Sequence, residues 1–341
     1  MQNIILTGFG FMGIMHAQVY SQLKNARLAA VVDNNRAATI RTMKKLGVKA
    51  PLFATLDEAL AAVPAQVVDI CLPTDLHLPV ALRATKAGKH IFCEKPVALR
   101  SGDADKITAA AQAAGVSGQV GQCIRFWPEY QAFRAFVQSG KAGALRSFAL
   151  QRRSMIPTHS VGDWLLDPVR SGGAALDLHI HDTDFIVALL GCPRSVAARG
   201  TKDDHGLSHI FTTYDYPGVC VTAEGGWNYP PKWGFQMAFQ AVFDNGAVEY
   251  DSGTSPTLSV TIGGGPKKPL PFAQPSAGSS ATGSGNISSL GGYFNELQYF
   301  IGCLERRTGP QEATLAQAAE SLRVVLAEIA SARAGGKPVK L

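Results

Sequence analysis

A glycine-rich hexapeptide, Gly8-Phe9-Gly10-Phe11-Met12-Gly13, follows a short apolar, β-branched run at 4–7 and opens a helical stretch at 12–23. Few local sequences constrain a fold as tightly. In a strand–turn–helix unit the first glycine permits the tight turn. The second lets a ligand approach the backbone, and the third lets helix and strand pack closely. Asp33 stands 20 residues after Gly13, at the end of the next apolar run, 28–32. That is where the dinucleotide fingerprint places the acidic residue that hydrogen-bonds a ribose. The helix N-terminus adds N–H groups for a pyrophosphate. Gly8, Phe9, Gly10, Phe11, Met12, Gly13 and Asp33 are therefore candidate cofactor contacts, with Asn34 and Arg36 beside them. A carboxylate at 33 repels a 2′-phosphate, whereas Arg36 could face one. NAD is expected, with NADP the alternative.

The first 120 residues keep the same grammar. Apolar runs at 4–7, 28–32, 67–72 and 90–93 alternate with helical stretches at 12–23, 36–46, 76–87 and 101–114. Continuous apolar runs fit strands buried on both faces of a parallel sheet, so a doubly wound α/β Rossmann domain is expected over 1–120. From 121 to 341 the pattern predicts an α+β domain for substrate binding and oligomerisation. Strand-like runs near 145–154, 194–200, 208–215, 219–227, 235–243, 247–250 and 257–262 are punctuated by Tyr216-Pro217-Gly218 and Asp244-Asn245-Gly246 turns. They predict an open-faced, mainly antiparallel sheet. Helices are expected at 129–139, 173–190, 293–305 and 312–334, and residues 263–292, rich in Gly, Ser and Pro, as a long surface loop.

Composition closes off several classes. The net charge of +6 is not clustered, Lys44-Lys45 and Lys267-Lys268 being isolated pairs, so nucleic acid is not an expected partner. No apolar run approaches the roughly 20 residues of a membrane span, and the start carries no basic leader, so the cytoplasm is the expected address. The six cysteines contain no C-x-x-C pair, which argues against a disulfide framework or a cysteine zinc site.

Two further constellations carry chemistry. Glu94-Lys95-Pro96 follows the strand at 90–93, and ligands of open α/β sheets sit beyond the carboxyl ends of strands. There Lys95 can reach a substrate hydroxyl, with Glu94 as a tuning partner. The stretch Asp177-Leu178-His179-Ile180-His181-Asp182-Thr183-Asp184 invites a metal reading, but helical spacing puts Asp177, His181 and Asp184 on one face. This grouping favours an Asp177/His181 acid/base pair over a metal site.

These motifs, in this order, resemble the glucose–fructose oxidoreductase / inositol dehydrogenase (Gfo/Idh/MocA) family over nearly the whole chain. The resemblance rests on the Gly8–Gly13 loop, Pro73-Thr74 with His77, Ala87-Gly88-Lys89-His90 leading to Glu94-Lys95-Pro96, and Gly172-Gly173-Ala174 leading to Asp177 and His181. Arg125-Phe126-Trp127-Pro128-Glu129-Tyr130 and the segment from Tyr293 to Cys303 add to it. It implies Lys95 as the proton-transfer residue, His181 as its partner on the substrate, and Asp177 orienting substrate or histidine. Pro73, Thr74 and Glu94 would line the nicotinamide, with His77 supporting that loop. Homodimers or homotetramers through the C-terminal sheets are also implied. Cys123 departs from the family, which often has Asn there, so no polar contact carries over at that position.

The expected activity is hydride transfer between the nicotinamide and a secondary alcohol of a sugar, sugar derivative or cyclitol, without a metal. Two alternatives stay open: a non-catalytic dinucleotide sensor, and a redox-neutral enzyme using NAD transiently, as in glycoside cleavage. Arg125, Arg152, His159, Trp164 and Tyr229 are the candidate substrate contacts.

Overall fold

The computed structural model describes residues 1–158, 160–273 and 290–341. His159 and most of the 263–292 stretch lie outside them.

The first sheet has six parallel strands: β1 (Gln2–Thr7), β2 (Ala26–Val32), β3 (Leu52–Phe53), β4 (Val67–Ile70), β5 (His90–Cys93) and β6 (Gly118–Val120). Their order is β3-β2-β1-β4-β5-β6, the doubly wound arrangement that the alternating pattern predicts. Helices α1 (Phe11–Gln22), α2 (Arg36–Leu46), α3 (Leu56–Ala62), α4 (His77–Lys86) and α5 (Ser101–Ala113) connect the strands. Alternation along β1 sends Ile4 and Leu6 to one face and Ile5 to the other, all fully buried. Sequence patterning places α1, α2, α4 and α5 within a residue or two; α3 and β3 are too short for a periodic signal.

The second sheet has nine strands. They are β7 (Leu145–Met155), β8 (Ser195–Asp203), β9 (Gly206–Tyr216), β10 (Val219–Tyr229), β11 (Phe235–Phe243), β12 (Gly246–Asp251), β13 (Leu258–Ile262), β14 (Lys268–Pro269) and β15 (Val339–Lys340). The order is β14-β13-β12-β11-β7-β10-β9-β8-β15, antiparallel except where β10 runs parallel to the central β7. Helices α6 (Pro128–Gln138), α7 (Pro168–Ser171), α8 (Gly173–Asp177), α9 (Ile180–Leu190), α10 (Gly291–Arg306) and α11 (Leu315–Arg333) complete the chain. One face of the sheet packs on Tyr130 and Phe133 of α6 and Phe185 of α9, which meet Phe148 and Phe239 in an aromatic core. Phe133 and Phe239 approach to 4.6 Å between centroids.

Two late helices tie the sheets together. A doubly wound sheet that ends at β6 leaves its α1 face bare over β4 and β5. The apolar stripe of α10, Leu297, Phe300, Ile301 and Leu304, covers that patch against Val67 and Phe92. Burial of four such side chains contributes roughly 1.5–3 kcal/mol each. The other helix, α11, opens with a capping box in which Thr314 and Gln317 satisfy each other's backbone N–H groups. It sends Leu315, Ala318 and Leu322 to the α5 side and Val324 toward the second sheet.

The expected single helix at 173–190 is corrected: it is two, α8 and α9, separated at Leu178 and His179. The helical repeat therefore does not run unbroken from Asp177 to Asp184, and the side chains of that stretch reach different parts of the molecule.

Candidate active site

The glycine loop has the geometry its sequence implies. Gly8 has φ +85°, and a Cβ there would lie 2.4 Å from the carbonyl oxygen of Cys71. A Cβ on Gly13 would lie 2.0 Å from the carbonyl oxygen of Gly8, so α1 closes on β1 only with glycine present. At Gly10 a Cβ would meet nothing within 4 Å. The backbone is therefore open on the side where a pyrophosphate would approach, and the Gly10 N-cap offers no side chain to fill it. This cradle fits a dinucleotide. Asp33 accepts from the Phe9 N–H (2.7 Å) and the Asn35 N–H (2.7 Å), so the carboxylate is docked on the loop itself. Arg36, exposed, turns its Nη1 to the Leu52 carbonyl (3.4 Å), and Asn34 is exposed beside it. A carboxylate on the loop, with the nearby arginine bonded elsewhere, suits a ribose hydroxyl better than a 2′-phosphate.

Beyond β4 and β5 two turns meet. Pro73 leads into a 3₁₀ turn, Thr74–Leu76, in which Thr74 is buried. The ring nitrogens of His77 lie 2.9 Å from the carbonyl oxygens of Leu72 and Pro96, so this buried imidazole braces the 73–76 turn against the Glu94-Lys95-Pro96 turn. Glu94 Oε2 accepts the Lys95 backbone N–H (3.1 Å).

From this turn Lys95 reaches across to α8. Its Nζ donates to the Asp177 carbonyl oxygen (2.8 Å) and to Asp177 Oδ1 (2.9 Å), and both side chains keep 15% of their surface exposed. An ammonium has three N–H donors, so one remains for a substrate oxygen. Asp177 thus serves Lys95 rather than pairing with His181. The half-buried His181 is close enough to Lys95 and Arg152 to feel both charges. Burial first, then these two cations, push its pKa well below the usual histidine value, and its Nδ1 has no hydrogen-bond partner among the described residues. His181 is accordingly an uncharged imidazole at neutral pH.

The remaining members of 177–184 point elsewhere. His179 Nε2 lies 2.8 Å from Glu328 under the sheet, Asp182 takes both Nε and Nη2 of Arg152 (3.0 and 2.8 Å), and Asp184 takes Nε and Nη2 of Arg125 (2.7 Å each). Arg125 and Arg152, expected as substrate contacts, are thus each engaged inside the protein. Both are buried, and each guanidinium fork is closed on a carboxylate. Arg152 also acts on His181 through its charge. Trp164 is half-buried in the 161–166 turn, and Tyr229 ends β10, bonded to Glu224 (3.2 Å) and stacked on Trp233 at 4.7 Å. Neither is hydrogen-bonded to the Lys95–Asp177 pair among the described residues. Cys123 is buried, which pushes its thiol far up and leaves it neutral. Sequence reasoning missed Glu296, which α10 brings behind Glu94. An acid inside an apolar helix stripe gives no sequence signal of its partner.

Comparison with known proteins fits this geometry. Residues 2–122 match the model described as oxidoreductase family, NAD-binding Rossmann fold, and residues 130–249 match the GFO/IDH/MocA C-terminal domain. An inositol 2-dehydrogenase of Rhizobium meliloti (strain 1021) is 30% identical over 275 residues, 77% of this chain and 80% of the relative. The chain belongs to the Gfo/Idh/MocA oxidoreductase family. A 2,7-anhydro-N-acetylneuraminate hydratase of Escherichia coli (strain K12) is 28% identical, over 67% of this chain and 63% of the relative. An Agrobacterium radiobacter oxidoreductase in complex with NAD+, L-tartaric acid and magnesium has the same fold, with TM-score 0.87, 19% identity and coverage of 99% of this chain and 98% of that one. A levoglucosan dehydrogenase in complex with NADH and levoglucosan follows at TM-score 0.85, 19% identity and 99% coverage of both chains. This member of the family therefore carries an NAD-binding domain, and among its described residues no helix is long and apolar enough to cross a membrane.

Proposed function

We propose that the protein is an NAD-dependent dehydrogenase that reversibly oxidises a secondary alcohol of a cyclitol, sugar or sugar derivative. The observation that carries this reading is the Lys95 ammonium, held by Asp177 through two of its three donors at the end of β5, with the uncharged His181 within electrostatic reach. A dinucleotide held by the Gly8–Gly13 loop and Asp33 would supply the hydride acceptor for the carbinol carbon. The chain handles the proton. The third Lys95 N–H binds the substrate hydroxyl oxygen and stabilises the charge that develops there. The Lys95/His181 pair takes the hydroxyl proton, the imidazole lone pair being available at neutral pH, and returns it in the reverse direction. Asp177 fixes where the ammonium stands.

The inositol 2-dehydrogenase relative supports a cyclitol, and the levoglucosan dehydrogenase of the same fold supports a sugar. The test is reduction of NAD⁺ and NADP⁺ across a panel of inositols, sugars and sugar acids, repeated with Lys95→Ala. The variant is expected to bind NADH normally and to lose about 10²–10⁴ in kcat. Undiminished turnover would remove Lys95 from the mechanism.

A second, redox-neutral reading is favoured by the hydratase relative. It predicts product from a sugar substrate with bound NAD but no net NADH. The open face of the second sheet further supports a homodimer or homotetramer. It presents a shallow groove of about 530 Å³ lined in part by Gln151, Phe211, Thr222 and Glu224, with Phe211 and Val242 exposed. Sedimentation as a monomer at micromolar concentration would dismiss the assembly.

A further inference from the structure

Behind the Glu94–Lys95 turn lies a buried polar cluster that the proton chemistry above does not use. His16 and Tyr20 come from α1, Asp69 from β4, Glu94 from beyond β5 and Glu296 from α10, and none is more than 4% exposed. His16 Nδ1 lies 2.8 Å from Asp69 Oδ2, and the Tyr20 hydroxyl donates to that same oxygen (2.8 Å). The other face of the ring turns to the active-site turn, with His16 Nε2 3.1 Å from Glu94 Oε1. Ligand atoms of His16, Glu94 and Glu296 all lie within 4.8 Å of one another. Neither carboxyl oxygen of Glu296 has a hydrogen-bond partner among the described residues, although the side chain is fully buried. Its backbone is held in place, the carbonyl oxygen accepting from Gln119 Nε2 at 3.3 Å.

Two carboxylates this close, shielded from water, cannot both carry charge. Burial and the negative charge of Glu94 push the Glu296 pKa well up, so Glu296 is the acid that keeps its proton. Burial alone would push His16 down, but Asp69 and Cys71 more than offset this and hold it well above the usual value. An imidazolium and a neutral carboxyl then flank Glu94 by charge and close packing; His16 Nε2, Glu94 Oε1 and both Glu296 oxygens have no hydrogen-bond partner among the described residues. The imidazolium and the neutral carboxyl are also poor metal ligands, which must be deprotonated to bind.

We propose that Glu296 is a positioning residue for Lys95: from α10 it completes a buried His16–Glu94–Glu296 cluster that confines the Glu94 carboxylate by close packing. That carboxylate in turn holds the Lys95 backbone N–H, so the docking of α10 on the first sheet sets the place of the acid/base lysine. The proposal rests on the reading of Lys95 as a proton-transfer residue. The groups facing Glu296 are His16 and Tyr20 of α1, Asp69 of β4, Glu94, Cys123 after β6, and Tyr293 of α10 itself.

The test uses the full chain with NAD⁺ and the substrate identified by the panel, comparing Glu296→Gln and Glu296→Ala. Gln keeps a neutral donor and acceptor and is expected to hold kcat within about threefold, whereas Ala lowers kcat about ten- to a hundredfold with KM for NAD⁺ little changed. A kcat for Ala equal to that of the wild type would overturn the proposal. The second measurement needs neither substrate nor turnover. Above the ordinary carboxyl pKa the unfolded chain releases this proton while folded Glu296 keeps it, so wild-type stability falls with rising pH until the raised folded value is reached, while Gln cannot ionise. The Tm of Gln minus that of the wild type should therefore grow from pH 6 to pH 9, and a constant difference would show that no buried proton is held there. Stoichiometric metal in the purified protein, lost in Glu296→Gln, would likewise replace the proton by a cation. Should Lys95→Ala keep full turnover while the Tm difference grows with pH, the lysine reading fails and the buried cluster stands.

Discussion

Within eight residues the chain presents three aspartates to three cations, and only one pair is built to be broken. Asp182 and Asp184 each grip a guanidinium through two hydrogen bonds, and Asp184 also accepts from the Ser321 hydroxyl (2.7 Å). All four charged side chains of these pairs are at most 3% exposed. Asp177 meets a lysine partly in water and leaves that lysine a spare donor. Saturation of donors and acceptors, rather than charge or residue type, separates scaffold from chemistry here. The buried pairs join α9 to the turn at 123–126, to α11 and to β7.

The sharpest way to break the comparison is to remove one partner from a sealed pair. Asp184→Ala leaves the Arg125 guanidinium buried without its carboxylate, and a loss of about 3–5 kcal/mol in unfolding free energy is expected. Urea denaturation with NADH absent measures it. A loss below about 1 kcal/mol would mean that Arg125 finds water or Glu312, which lies 3.8 Å away, and that the pair is not sealed.

The contrast between the aspartates also shows what sequence can and cannot reveal. The glycine loop, the 20-residue separation of Asp33 and the doubly wound class of the first sheet were legible because each depends on local chemistry: φ, strand period and a fixed separation. The seven main strands of the second sheet were legible for the same reason. The partners of Asp177, Asp182 and Asp184 were not, since a break at Leu178 and His179 turns a single helical face into several directions. Arg125 and Arg152 look like substrate contacts in a sequence, because nothing local says that a carboxylate 59 or 30 residues away will close on them. The docking of α10 on the first sheet depends on a bare patch created by the whole topology. No window of sequence contains it.

Asp177→Asn sharpens the comparison from the other side. The amide keeps the size of the side chain and the backbone carbonyl still accepts from Lys95, so stability should change by less than about 1 kcal/mol, as for a partly exposed pair. The ammonium loses its counter-charge and its exact placement, and kcat should fall about ten- to a hundredfold. The result that contradicts this is a stability loss as large as that of Asp184→Ala with kcat preserved, because Asp177 would then be scaffold like its neighbours.

His181 tests the same division through pH, with the smallest effect. Its folded pKa lies well below the ordinary value, because burial and the charges of Lys95 and Arg152 oppose an imidazolium. The unfolded chain therefore binds a proton at His181 near pH 6.5 while the folded chain does not, and stability falls as pH drops below that point. His181→Gln removes this term. The variant should match the wild type above about pH 7 and gain on it toward pH 5, by about 1 kcal/mol per pH unit once only the unfolded chain is protonated. His77, also depressed by burial, contributes equally to both proteins and cancels in the difference. A variant whose stability tracks the wild type at every pH would mean that the imidazole is hydrated and titrates as a surface histidine does. It would then sit on the solvent side of the division that separates Asp177 from Asp182 and Asp184, and its role as a neutral proton acceptor at pH 7 would lose its physical basis.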